Sequence, residues 1–155
     1  DYTSASHAWI PGQRSSPYEM GLGWTVNLDK QGYFVGRRAL EREHREGSSW
    51  QLAGLEIDWE GLVREYAAVG MPPQVPASAV RGSIPVYAGP RQVGYASTST
   101  WSPVLKKYIA LVHLQQPYFA PGTKVEIEVT VEHHRRKSPA TVVKLPFYDP
   151  EWKKK

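Results

Sequence analysis

The chain has 155 residues, 19 basic and 15 acidic side chains, a formal charge of +4 and no cysteine. That length admits one ordinary domain, or one domain with part of another, burying about 70% of the unfolded surface. The absence of cysteine excludes a disulfide framework, a Cys-based zinc site, an iron–sulfur cluster and thiol catalysis. With 41% hydrophobic and 22% charged residues, the composition is that of a soluble globular protein, and a cytoplasmic location is expected. No apolar run approaches the roughly 20 residues of a membrane helix.

Residues 1–18 are rich in Ser and Pro without a sustained period, which predicts an irregular arm. The arm begins Asp1-Tyr2-Thr3-Ser4-Ala5, with neither an initiator Met nor a signal-peptide pattern, so it reads as the interior of a longer chain. Leu22, Trp24, Val26 and Leu28 alternate with small or polar residues, predicting a half-buried strand with Trp24 in the core. Residues 36–47 change period and predict a short, solvated helix, with Glu41 and Arg45 as an i,i+4 pair and Gly47 as its C-cap.

A strand is expected from Trp50, with Leu52, Leu55 and Ile57 as core positions, then a helix over residues 60–69. The prolines of residues 70–83 predict a long surface loop. Five strand-like runs follow, at 84–87, 92–98, 108–114, 124–131 and 140–145, separated by turn signals at 88–90, 101–107, 117–122 and the basic block His133–Lys137. Val125, Ile127, Val129 and Val131 alternate with polar residues at strict period two. The expected fold is mostly β, of α+β type: a small antiparallel β-barrel with an irregular amino-terminal arm and one or two short helices.

Function is not legible in these periods. The five histidines have no metal-ligand spacing, and no phosphate-binding glycine loop or His-Glu-x-x-His is present. The basic block reads as a solvated hairpin turn. An alternative is a β-barrel module binding a protein or nucleic acid, but no stacking aromatics interleave with Arg135, Arg136 and Lys137.

The residues themselves carry more. Gly21-Leu22-Gly23-Trp24-Thr25-Val26, Phe34-Val35-Gly36-Arg37-Arg38-Ala39-Leu40, Leu52-Ala53-Gly54-Leu55, Val93-Gly94-Tyr95-Ala96-Ser97-Thr98, Ser102-Pro103-Val104-Leu105-Lys106-Lys107-Tyr108 and Val142-Val143-Lys144-Leu145-Pro146-Phe147 occur in that order. The succession, which covers nearly the whole chain, resembles the carboxyl-terminal part of the glycine cleavage T-protein (aminomethyltransferase) family of tetrahydrofolate-dependent enzymes.

The resemblance implies that residues 1–49 end an incomplete folate-binding domain, that 50–150 form a carboxyl-terminal β-barrel, and that 151–155 are a basic tail. It implies tetrahydrofolate as cofactor, a small-molecule one-carbon donor, and a missing amino-terminal folate-binding domain as partner. The family's catalytic aspartate would lie upstream of Asp1, leaving this chain inactive alone. Four residues are expected at the cofactor: Arg37, through a bidentate grip on its carboxylates; Tyr2, standing where aminomethyltransferases tend to have a glutamate; Glu19, near the cleft; and Trp101, in a loop facing the folate domain with Lys106 and Lys107. Arg37 could instead pair with Glu41, and Glu19 could cap backbone amides. Tyr2, the Pro-rich stretch 70–83 and Trp101-Ser102-Pro103 look more like the methyltransferase and demethylase relatives. Asp149, shortly after Pro146-Phe147, would repel a glutamate tail.

Overall fold

A computed structural model describes residues 14–76 and 78–154. Six antiparallel strands close into a barrel: β1 (Trp50–Ile57), β2 (Val80–Ala88), β3 (Arg91–Ser102), β4 (Lys107–Gln115), β5 (Lys124–Val131) and β6 (His134–Val143), in the spatial order β1-β4-β3-β2-β5-β6. The mostly β expectation and the antiparallel barrel hold, with two short helices beside it.

Period two explains the core. Leu55 and Ile57 of β1, Val112 and Leu114 of β4, Val125 and Ile127 of β5, and Ala140 and Val142 of β6 are all buried and meet in one apolar cluster. Each such side chain contributes about 1.5–3 kcal/mol on leaving water. Leu52, expected in the core, faces outward and is partly covered by the arm. β1 also needs Gly54, because a Cβ there would stand 2.8 Å from the Phe147 ring.

Helix α1 (Arg37–Glu46) buries no residue, as its thin apolar stripe predicts. It starts from Gly36 at φ 90° and ends at Gly47, whose N–H donates to the Glu43 carbonyl. The ion pair that forms is Arg37 with Glu41 rather than Glu41 with Arg45, which bonds Glu46 instead. Helix α2 (Trp59–Ala67) lays Leu62 and Tyr66 against one end of the barrel beside Val131. Its start is fixed by Asp58, whose Oδ2 accepts from the Gly61 N–H at 3.0 Å.

Other expectations change too. The strand over 21–28 is a set of turns around a 3-10 turn, Gly23–Thr25, and Trp24 is 84% exposed rather than core. Gly21 at φ 71°, the Leu22 N–H bonded to the Pro17 carbonyl and the Thr25 hydroxyl bonded to the Leu22 carbonyl satisfy that backbone locally. The loop ends earlier than residue 83, since Val80–Ser83 already belong to β2, with a shift of register between Arg81 and Ile84. Of the basic block only His133 is in the hairpin turn, which it makes with Glu132 at φ 63° and 49°, and His134 opens β6. Likewise Trp101 and Ser102 end β3 and Lys107 begins β4, leaving a shorter turn between them. Glu151–Lys154, in the basic tail, forms a 3-10 turn.

Candidate functional site

The face that carries the expected residues is built where the arm crosses the barrel. β6 pairs with β1 only over Gly54–Ile57. On the exposed half of β1, the Leu52 N–H donates instead to the Glu19 carbonyl at 2.8 Å, so the arm occupies the place of a strand. Ser16 and Glu19 satisfy each other reciprocally: the Glu19 carboxylate accepts from the Ser16 N–H at 3.0 Å and the Ser16 hydroxyl accepts from the Glu19 N–H at 3.1 Å. This is capping-box chemistry, legible as Ser16-x-x-Glu19, used here to hold a turn. The Ser16 hydroxyl also donates to Glu43 of α1 at 2.6 Å, and the Ser48 hydroxyl donates to the same oxygen. Arm, helix and barrel are thereby tied at one carboxylate.

Beneath the arm lies His113 of β4, opposite Leu52 in the β1–β4 ladder and 5% exposed. Its ring stacks on Tyr95 at 5.3 Å, and Tyr95 in turn meets Trp50 at 6.2 Å. Burial pushes its pKa below the usual histidine value, against an upward pull from the Glu19 charge. Burial thus disfavours the protonated imidazole. No period marked His113, because it points away from the barrel core and is covered there by Tyr95 and its surroundings rather than by the core.

Arg37 stands at the first position of α1. Its Nε donates to Glu41 at 2.7 Å, Nη1 to the carbonyls of Lys30 and Gly32 at 3.0 and 2.8 Å, and Nη2 to the carbonyl of Leu28 at 2.9 Å. Four of the five guanidinium N–H groups are thus spent inside the chain, gathering residues 28–32 into a loop. The loop and its neighbours present Leu22, Trp24, Tyr33 and Val35, which are 47%, 84%, 74% and 94% exposed.

Trp101 is elsewhere. It pairs with Tyr108, which pairs with Ile57 at the far end of β1. Five residues separate Ile57 from Leu52, about 17 Å along the strand. There Trp101 packs on Trp59 with ring centroids 5.0 Å apart, and Lys107 pairs with Glu56 at 2.8 Å. The structure brings Glu19 to α1 through Ser16 and Glu43, but it does not bring Trp101 to them. Tyr2 lies outside the described residues.

The basic strand offers little free charge. Arg136 and Lys137 lie within 4 Å of Glu65 and Glu126, the Lys137 ammonium sits 4.0 Å from the Tyr87 ring centroid, and Arg135, 80% exposed, makes only a 3.7 Å contact with Glu128. Cations satisfied this way make a poor footprint for phosphates, so the nucleic-acid alternative is not favoured. Among the described residues no group of three or more His, Asp or Glu could hold a metal ion, and no helix is long and apolar enough to cross a membrane.

The model of the glycine cleavage T-protein C-terminal barrel domain family matches residues 64–149. The chain is 33% identical over 134 residues to the aminomethyltransferase of Prochlorococcus marinus (strain NATL2A), covering 86% of this chain and 30% of that protein. To the aminomethyltransferase of Synechococcus sp. (strain RCC307) it is 36% identical over 134 residues, covering 86% and 32%. The crystal structure of glycine cleavage system aminomethyltransferase T from Bartonella henselae shares the fold, with a TM-score of 0.64 at 17% identity over 88% of this chain and 33% of that one. The chain spans about a third of the length of the curated relatives it matches.

Proposed function

The chain belongs to the glycine cleavage T-protein C-terminal barrel domain family, and from that membership we propose that it is the carboxyl-terminal part of a tetrahydrofolate-dependent aminomethyl or methyl transferase. In this reading residues 1–49 complete an upstream folate-binding domain, and the barrel of 50–150 forms one wall of the cleft for folate and a small one-carbon donor. The observation that carries it is the exposed apolar group Leu22, Trp24, Tyr33 and Val35, held out on an arm of a chain a third as long as its relatives. Four large apolar side chains exposed within fourteen residues support a docking role for this segment.

The described residues proposed for the tetrahydrofolate site also make contacts within the chain. Among the described residues four of the five Arg37 N–H groups find partners, the Glu19 carboxylate is engaged by Ser16, and Trp101 stands at the other end of the barrel. No step of the reaction is therefore derived from this chain. Its contribution is to position: Arg37 fixes the loop that abuts the upstream domain, Glu19 fixes the arm on the barrel, and Trp101 shapes a second edge with Trp59. Tyr2 keeps its proposed place at the pterin edge. Closing a wall over the reactants would hold them in register and exclude water, which is where such transfers gain rate. Tyr2 and the Pro-rich stretch support the methyltransferase or demethylase branch.

Tetrahydrofolate binding, measured calorimetrically for this chain alone and for the chain joined to the upstream region of its gene, tests the reading. Binding is expected only in the joined protein. Equal affinity in the isolated chain would overturn the wall assignment.

A further inference from the structure

A cleft of about 390 Å³ opens at the other end of the barrel, under α2 and the segment that follows it. Its cause is a gap in the sheet. β2 and β5 pair through only Val86 with Ile127 and Tyr87 with Glu126, and beyond these β2 leaves β5 toward Val80. Among the described residues the edge of β5 from Glu128 onward has no partner strand on that side. Glu128, Val129 and Thr130 all line the cleft, although successive residues of a strand point to opposite faces. The cleft therefore runs along the open edge and sees both faces.

Its chemistry is uneven. Leu62, Pro76, Val80, Ile84 and Val129 give apolar walls. Two tyrosine rings enter: Tyr66, whose hydroxyl donates to the Gln74 carbonyl at 3.0 Å, and Tyr108, whose hydroxyl shares a hydrogen bond with Ser99 at 3.2 Å. Both hydroxyls are occupied, so the tyrosines offer the cleft chiefly the carbon atoms of their rings. Among the described residues the one charged member of the lining is Glu128, whose side chain is 16% exposed, and no Lys, Arg or His joins it. Glu128 accepts from the Tyr87 hydroxyl at 3.2 Å and faces the Arg135 Nε at 3.7 Å. The Arg135 side chain is 80% exposed, and a pair so solvated and so long is cheap to displace.

We infer that this slot between β2 and β5 is a binding site for a small organic ammonium compound, its cationic head against Glu128 and its apolar body against the tyrosine rings and aliphatic walls. The volume lies in the range of small-molecule sites. Aromatic faces and a shielded carboxylate are the groups that select an alkylated cation over a neutral molecule of equal shape. The inference stands on this end of the barrel alone and does not depend on the transferase reading.

The test uses the 155-residue chain and three probes of one shape, benzylammonium, benzyl alcohol and benzoate, followed by titration in two-dimensional NMR. Benzylammonium is expected to saturate at millimolar concentration with shifts confined to residues around Tyr66, Ser99 and Thr130, at least tenfold tighter than benzyl alcohol, while benzoate does not bind. Glu128→Gln should weaken benzylammonium about tenfold. Ser83→Trp, placed on an exposed position at the cleft mouth, should abolish binding and keeps the test valid if the Glu128 variant unfolds. Equal affinity for benzylammonium and benzyl alcohol, shifts elsewhere on the surface, or no saturation would each overturn the assignment.

Discussion

The Arg37 Nε stands 2.7 Å from the Glu41 carboxylate one helical turn ahead, and that contact aims the rest of the guanidinium backwards at the carbonyls of Leu28, Lys30 and Gly32. Arg37→Ala is expected to release the loop at a cost of about 1–3 kcal/mol. Arg37→Lys should do nearly as much, because a point charge cannot serve three carbonyls and a carboxylate in the directions a planar fork does. Amide hydrogen exchange would show the loss as faster exchange across residues 28–34 with β1 to β6 unchanged. Unaltered exchange in that loop would deny Arg37 its role there.

His113 predicts how stability depends on pH. Burial lowers its pKa in the folded chain, with the Glu19 charge opposing, so the unfolded state binds the proton more readily. The contribution is fully present above the unfolded value near 6.5 and is lost as pH falls through the lower, folded pKa. Urea midpoints should fall on going from pH 7.5 to 5, and His113→Gln should flatten the part of that dependence due to this ring. A variant with the parent's slope would place the acid sensitivity elsewhere.

Trp24 separates folding from docking. At 84% exposed it contributes little to the isolated chain, and Trp24→Ser is expected to change its stability by less than about 0.5 kcal/mol. In the protein joined to its upstream region, the same substitution should lower stability and increase hydrogen exchange in the arm. A loss of stability in the isolated chain equal to that in the joined protein would mean that Trp24 serves only its own fold.

The barrel was legible because one physical rule, burial of alternate side chains, governs Leu55, Ile57, Val125, Ile127 and Val142 alike. The same rule misled at Trp24, where the alternation is present but the backbone bonds of Leu22, Thr25 and Val26 close locally and, among the described residues, no strand lies alongside. Arg136 and Lys137 were hidden as strand residues because their charges suggest a turn, whereas glutamates on β5 and α2 make a charged strand tolerable. Ser16 and Glu19 were readable as a capping box. The link from Ser16 to Glu43 was not, since it joins residues 27 positions apart through a turn of no fixed period.

Ser138 offers a test of the core itself. It lies opposite Ile127 in the β5–β6 ladder, 0% exposed, and its hydroxyl has no hydrogen-bond partner among the described residues. An unmet buried hydroxyl costs about 1–3 kcal/mol relative to water. Replacing it with a methyl hydrogen removes that cost and leaves a void no larger than one oxygen atom, too small for the cavity penalty to cancel the gain. Ser138→Ala is therefore expected to stabilise the chain by about 1 kcal/mol, read as a higher urea midpoint with an unchanged slope. A lower midpoint would mean that the hydroxyl has a partner in solution, and an altered slope would mean that the barrel had changed its extent of burial.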